Sequence, residues 1–273
     1  MDWDHGDYVS TAPAIFLGGC GRSGTTLLRV ILDSHPSICC GPESRLVFLL
    51  RRKLESAVLA HRFDLDVCTV TSLLTQASSR AEFIDRFFAT YALSVGKRRW
   101  AEKSPRNVQA IGYIFKHFPK AHFIHVIRDG RDVACSLRTH PRHAVKEGRL
   151  VPVSCQKPMT ECIDRWIKDV RAGLAHSADP RVTVVRYEHL IHDTEGTLRR
   201  LFASLEEPWC DEVLRFHQVA SSSRDITKFP QNPEARRPIY SSAVGRWRRD
   251  LSHEESVYIQ SVAGDLLKQL GYL

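Results

Sequence analysis

The chain has 273 residues, 43% of them hydrophobic, and a formal net charge of +8, enough to bury the core of one large α/β domain and to attract an anionic partner. No apolar run approaches membrane-spanning length, and the start Met1-Asp2-Trp3-Asp4-His5-Gly6-Asp7 is acidic where a signal peptide is basic and then apolar, so a soluble, cytoplasmic protein is expected. The eight cysteines form no C-x-x-C pair, which argues against a zinc ribbon or a secreted disulfide framework.

Ala14 to Gly18 reads as a buried strand and Thr25 to Asp33 as a helix, stopped by Ser34-His35-Pro36 because proline restricts the residue before it. Residues 43 to 61 and 69 to 95 carry helical apolar spacing, with Leu46, Leu49, Leu50, Leu54 and Val58 on one face, and predict a helical insertion at about 43–95. Trp100-Ala101-Glu102 reads as a short extended piece, and Pro105 opens a helix running to about His117. His122 to Ile127 is a second buried strand, followed by Arg128 and another helix. Residues 159 to 176 place Cys162, Trp166 and Val170 at helical spacing, Val182 to Arg186 gives a further strand, and helices are expected around 194 to 217. Ala220 to Val244 is rich in Ser, Arg, Pro and Asn without apolar periodicity and predicts a long functional loop before a last helix from about His253 to Leu270. No repeat or low-complexity tract divides the chain, so residues 1–273 are expected to form a single domain. The alternation of strands and helices predicts an α/β, P-loop-like three-layer fold with a central parallel sheet flanked by helices.

In an open parallel sheet, ligands sit outside the carboxyl ends of the strands. Three polar clusters fall at such ends: Cys20 to Thr26, Lys103-Ser104, and Arg128 with the helix after it. Gly19 through Gly24 with Thr26 fits the phosphate-loop pattern G-x-x-x-x-G-K-[ST], except that Thr25 stands where the lysine belongs. The glycine-rich bend and helix start would still offer backbone N–H groups to an anion, but ordinary ATP or GTP chemistry is not expected without the lysine. Arg128 and Ser136 are eight residues apart, so a strand-end guanidinium and a hydroxyl two helical turns on could grip one anion together. A salt-bridged helix start in Arg128-Asp129-Gly130-Arg131-Asp132 is the structural alternative.

These segments together resemble the sulfotransferases that use 3′-phosphoadenosine 5′-phosphosulfate (PAPS), closest to the tyrosylprotein sulfotransferase-like group with its many bacterial enzymes. Gly21-Arg22-Ser23-Gly24-Thr25-Thr26 is similar to that group's 5′-phosphosulfate loop, and Val126-Ile127-Arg128-Asp129-Gly130-Arg131 through Ser136 to its 3′-phosphate segment. Cys40-Gly41-Pro42-Glu43-Ser44-Arg45 resembles the Cys-Gly-Glu-Glu-Thr-Arg segment, and Glu102-Lys103-Ser104-Pro105 the Asn-Lys-Asp-Pro segment. Arg186-Tyr187-Glu188 and Ser241-Ser242 to Trp247 complete the likeness, which reaches from residue 15 to about 250.

The resemblance implies that Arg22, Ser23, Gly24, Thr25, Thr26 and Lys103 hold the 5′ end of PAPS, while Arg128 and Ser136 hold its 3′-phosphate by charge-assisted hydrogen bonds. Tyr187 would lie near the adenosine, and Arg246 or Arg248, flanking Trp247, would close a cofactor-covering loop at about 220–250 over the 3′-phosphate. Glu43 matches the family's catalytic glutamate and is expected to deprotonate an acceptor hydroxyl, with its pKa raised by partial burial beside the nucleotide and lowered by Arg45 and Lys103. Lys103 and Arg22 would stabilise the leaving oxygen of 3′-phosphoadenosine 5′-phosphate (PAP), with Ser242 as a helper. No metal is expected to take part.

Two departures from the group matter. Its members have a cysteine two residues before the lysine, bridged to the one matching Cys40; here that position is Ala101, so the bridge cannot form. Pro42 and Ser104 replace acidic residues beside the expected base and lysine, so the protein-tyrosine acceptor is not carried over. The acceptor is expected to be a hydroxyl of a small molecule, carbohydrate or lipid-linked alcohol, received between the 43–95 insertion and segment 139–158, and a homodimer is left open.

A P-loop kinase would need the loop lysine and a Mg²⁺-holding carboxylate after a strand, and a non-catalytic PAPS-binding protein would share the nucleotide motifs. Nucleic-acid binding is not expected, because aromatic residues do not interleave with the basic clusters at Arg51-Arg52-Lys53, Lys97-Arg98-Arg99, Arg199-Arg200, Arg236-Arg237 and Arg246 to Arg249 as a stacking platform would require, Trp247 alone falling within one of them. The pairs His122/His125, His140/His143 and His189/His192 could suggest metal, yet the first falls on a strand, where three-residue spacing points the rings to opposite faces.

Overall fold

Five parallel strands in the order β2-β3-β1-β4-β7 form the central sheet. The structure is a computed structural model and describes residue 3 and residues 6–49, 54–139, 142–146, 149–153, 156–220, 238–239 and 241–273. β1 is Ile15–Gly19, β2 Ile38–Cys40, β3 Arg99–Lys103, β4 His122–Ile127 and β7 Val182–Arg186. Alternation sets the two faces: Phe16 and Phe123 turn one way, while Ile15, Leu17, Ile124 and Val126 turn the other. The first face packs on α4 (Arg80–Ser94) through Phe87, Phe88 and Trp100. The second packs on α1 (Thr25–Ser34) and α9 (Thr194–Ser204) through Leu28, Ile31, Leu198 and Phe202. Helices α6 (Gly130–Arg138), α7 (Met159–Leu174) and the last helix, α12 (His253–Gln269), share a third apolar cluster around Trp166. This is the α/β sheet with flanking helices that the sequence predicts.

The insertion between β2 and β3 is more broken than its periodicity suggests. Residues 46–48 form a turn, with the amides of Phe48 and Leu49 both donating to Arg45 O, and helix α2 starts only at Ser56 (Ser56–Phe63). Leu46 is buried there, but Val58 is 47% exposed, so the expected common face does not exist. The 69–95 helix is two: α3 (Val67–Gln76) and α4, separated where Ser79 Oγ accepts from the Glu82 amide and caps α4. Side-chain capping here outcompetes continuation of the helix. Pro105 opens a 3-10 turn, Pro105–Gln109, and α5 (Ile111–His117) follows separately. The helices expected at 194–217 divide into α9, a 3-10 turn at Asp211–Arg215 and α10 (Phe216–Ala220), and a further short helix, α8 (Tyr187–His192), precedes them.

Three short strands go beyond the sequence expectations. β2 has three residues, too few to show a period, and β5 (Arg142–Lys146) and β6 (Arg149–Val153) form an antiparallel hairpin apart from the main sheet. The acceptor role expected for segment 139–158 falls largely on side chains outside the described residues, as does residues 221–237 of the covering loop. Among the described residues, no helix is long and apolar enough to cross a membrane.

Candidate active site

β1 lies between β3 and β4, so the chain leaves it toward opposite halves of the sheet, and the crevice at that switch point is where α/β sheets bind ligands. Gly19 ends β1 with φ 151°, and a Cβ there would lie 2.3 Å from Val126 O. Only glycine lets the loop turn that close to β4. Arg22 takes φ 74°, a left-handed conformation rare for a residue with a side chain. Gly24, at φ 95°, lies against the Tyr187 ring, where a Cβ would approach Cδ2 to 2.4 Å.

The result is a loop that delivers the start of α1 to the crevice. Gly24 is the N-cap without a side-chain cap, and Leu28 N bonds back to Gly24 O at 3.1 Å, so the amides of the first turn precede the helical ladder. Ser23 is buried with its Oγ lacking any hydrogen-bond partner, and Thr25 is buried beside it. A buried hydroxyl without a partner suits a ligand oxygen. Thr26 is half-buried at the same helix start. These residues fit the 5′ end of a nucleotide such as PAPS.

The second expected grip meets the first directly. Arg22 Nε donates to Ser136 Oγ at 3.0 Å, and Arg128 Nη1 donates to Arg22 O at 3.1 Å. Arg128 also donates to Ala243 O, lies 3.6 Å from Asp132, and stacks 4.6 Å over the Tyr187 ring. Thus the loop after β1, the end of β4, α6 and Tyr187 at the end of β7 bring Arg22, Arg128, Ser136 and Tyr187 together, as the resemblance implied. Trp166 Nε1 donates to Arg128 O at 2.9 Å from below and fixes the backbone at the end of β4.

Asp132 ties the late segment to this group, a role the sequence reading missed. Its carboxylate accepts from the amides of Gly245, at 2.8 Å, and Trp247, at 3.0 Å. The Trp247 ring, at the start of α11 (Trp247–Asp250), lies under the guanidinium groups of Arg131, at 3.9 Å, and Arg248, at 4.7 Å. Arg246 is held by Asp250, with Nε 2.7 Å from Oδ2. Ser242 is exposed, next to the Ala243 carbonyl that Arg128 reaches. An R-x-x-x-D spacing on the helix after β4 was the available signal for Asp132.

The catalytic candidates meet on the other side of β1. Lys103, with its side chain 6% exposed at the end of β3, lies 3.1 Å from Glu43 Oε2, and Arg45 Nε donates to Glu43 Oε1 at 2.8 Å. Arg62 from α2 donates to Glu43 O at 2.9 Å. Burial pushes the Glu43 carboxyl up, but Lys103 and Arg45 outweigh it and the net shift is downward. The expected rise is therefore corrected for the protein alone: two cations within hydrogen-bond reach stabilise the carboxylate more than partial burial costs.

His122 and His125 sit apart from this chemistry. His125 is fully buried against Gly173 with neither ring nitrogen bonded, and burial pushes its pKa down to about 4. His122 Nδ1 instead faces Arg99 at 3.3 Å. Among the described residues, no group of three His, Cys, Asp or Glu side chains could hold a metal, and the described cysteines are all free of disulfides.

Known proteins share this arrangement of sequence and fold. The sequence model described as the sulfotransferase family matches residues 13–211. Protein-tyrosine sulfotransferase A of Caenorhabditis elegans is 25% identical over 97% of this chain and 68% of its own length. Nodulation protein NoeE of Sinorhizobium fredii is 28% identical over 97% of this chain and 67% of its own. Among solved structures, the sulfotransferase domain of the Synechococcus PCC 7002 olefin synthase superposes with a TM-score of 0.68 at 19% identity, covering 97% of this chain and 98% of that one. A mouse sulfotransferase solved with PAP gives 0.56 at 14% identity, covering 96% and 86%. The chain belongs to the sulfotransferase family, the PAPS-dependent enzymes that its motifs resemble.

Proposed function

We propose that this enzyme transfers the sulfuryl group of PAPS to a hydroxyl of an acceptor, with Glu43 as general base. The observation that carries the proposal is the Glu43–Lys103 pair, 3.1 Å apart at the end of β3, where Lys103 pairs with Leu17 of β1. Arg22, Ser23, Thr25, Thr26 and the first amides of α1 bind the 5′-phosphosulfate, and Arg128 and Ser136 take the 3′-phosphate. Tyr187 packs the adenosine, and the segment from Ser242 through Trp247 and Arg248 covers it.

In the transfer, Glu43 accepts the proton of the acceptor hydroxyl as the new oxygen–sulfur bond forms. The bond from sulfur to the bridging phosphate oxygen breaks in line, and its electron pair leaves on PAP. Lys103 and Arg22 offset the charge growing on that oxygen. When Lys103 turns to the bridging oxygen it leaves Glu43, whose basicity rises at the moment a base is needed. This motion answers the low basicity of the paired carboxylate.

The acceptor class belongs to the proposal: a small-molecule, carbohydrate or lipid-linked hydroxyl. So does a cytoplasmic location, which rests on Ala101 replacing the cysteine that would bridge Cys40. The test is incubation with sulfur-labelled PAPS and a panel of phenols, sugars, nucleosides, lipid-linked alcohols and tyrosine peptides, with PAP binding measured by calorimetry. Labelled ester with one class and micromolar or tighter PAP binding is expected. Failure to bind PAP sinks the reading; PAP binding without transfer to any acceptor leaves a nucleotide-binding protein instead.

A further inference from the structure

Glu102 immediately precedes Lys103 on β3, is only 1% exposed, and takes no part in the reaction as proposed. Its Oε1 accepts from the hydroxyls of Ser44, at 2.7 Å, and Ser104, at 2.6 Å, and its Oε2 accepts from Asn107 Nδ2. Each serine gives its proton to Glu102, so its lone pairs are left to face the backbone. Ser104 Oγ then accepts from the Arg45 amide at 2.9 Å, and Ser44 Oγ from the Leu46 amide at 3.1 Å. Those two amides belong to the segment that carries Glu43.

That segment needs holding. Arg45 takes φ 61°, a left-handed conformation that is unfavourable for a residue with a Cβ. Such strain persists where surrounding bonds over-determine it. Here the bonds run from the Arg45 and Leu46 amides through two hydroxyls to one buried carboxylate. Asn107 Nδ2 also reaches Leu17 O at 3.3 Å, so the same carboxylate is braced against β1.

We propose that Glu102 is a positioning residue: by orienting the Ser44 and Ser104 hydroxyls it holds the Glu43 segment so that Glu43 stays within reach of Lys103. The catalytic meaning of that distance rests on the function proposed above; the positioning itself does not. Three donors and no acceptor hydrogen-bonded to its carboxyl suit the ionised form, although burial pushes its pKa up against those donors and Lys103. The charged groups around the assembly are Lys103 from β3, Glu43 and Arg45 from the segment after β2, and Arg62 from α2.

The experiment follows the Glu43 carboxyl by carbon-13 NMR, its signal assigned by its loss in Glu43→Gln. Glu102→Gln puts an NH₂ group where donors converge, and Ser104→Ala removes the acceptor of the Arg45 amide while leaving Glu102 in place. In both variants Glu43 should titrate at higher pH than in wild type, because Lys103 and Arg45 are no longer held against it. With labelled PAPS and an unactivated alcohol that the enzyme sulfates, Glu102→Gln should lower kcat by roughly 10- to 100-fold and leave PAP affinity within about threefold. The same substitution on top of Glu43→Gln should cost less than about twofold, since residues acting through one group are not additive. A Glu43 titration identical in wild type, Glu102→Gln and Ser104→Ala overturns the positioning role whatever the activity, and so do additive losses in kcat. If Glu43 shifts as expected but Glu43→Gln keeps full turnover, the base assignment fails and the positioning stands.

Discussion

The Lys103 ammonium and the Glu43 carboxylate form a contact of 3.1 Å in which the lysine is almost wholly buried and the glutamate is 30% exposed. The exposed partner is open to an acceptor, and the buried one has few alternatives to Glu43 until a ligand arrives. One ion pair therefore joins the proposed base to the proposed stabiliser of the leaving group.

Glu43→Gln keeps shape and hydrogen bonding but removes basicity. Its kcat should fall by roughly 10²–10⁴, the usual worth of general acid–base catalysis, with little change in PAP affinity. In wild type, kcat/KM should persist as pH falls through the ordinary glutamate value of 4.5 and drop only below it, because Glu43 is shifted downward. Near-normal kcat with an unactivated alcohol would send the search for a base elsewhere.

Lys103→Ala should slow turnover more than it weakens PAP binding, since its contact with the bridging oxygen strengthens as that oxygen leaves. Calorimetry beside single-turnover rates separates the two effects. Because Arg22 and Lys103 supply the positive charge, turnover should survive dialysis against EDTA; loss restored by Mg²⁺ would return weight to a kinase-like mechanism.

Arg128→Ala should reduce the preference for PAP over adenosine 5′-phosphate by roughly 1.5–3 kcal/mol, the scale of a charged hydrogen bond. The motive is that Arg128 donates to the Arg22 carbonyl and Arg22 to the Ser136 hydroxyl, which chains the three residues together. An unchanged preference in the variant removes the 3′-phosphate assignment.

His125 should make the fold acid-sensitive. Its folded pKa is depressed from 6.5 to about 4 by burial, so between those values the unfolded chain binds the extra proton. Stability should therefore fall as pH drops from 6.5 toward 4, by on the order of 3 kcal/mol when fully expressed. Urea unfolding at several pH values, compared between wild type and His125→Leu, reads this term. A pH dependence equally steep in the variant assigns the sensitivity to other groups.

Local pattern in the sequence determined the sheet and its nucleotide end. β1 and β4 are apolar runs buried on both faces, Gly19 and Gly24 occupy positions that sterically demand glycine, and Arg22, Lys103, Arg128 and Tyr187 all lie at or just beyond strand ends. Such features repeat with short periods or fixed spacings, so they are visible along the chain. Tertiary structure alone decided the rest. Periodicity ran through 69–95 without showing that Ser79 would cap a new helix, and nothing local announced β2, whose three residues depend on pairing with β3. The net basicity of Glu43 depended on distances to Lys103, 60 residues away, and to Arg45, which a sequence does not contain. Likewise Glu102 and Asp132 are ordinary acidic residues in the chain, and only burial, with amides and hydroxyls folded around them, turns their carboxylates into fixed points of the site.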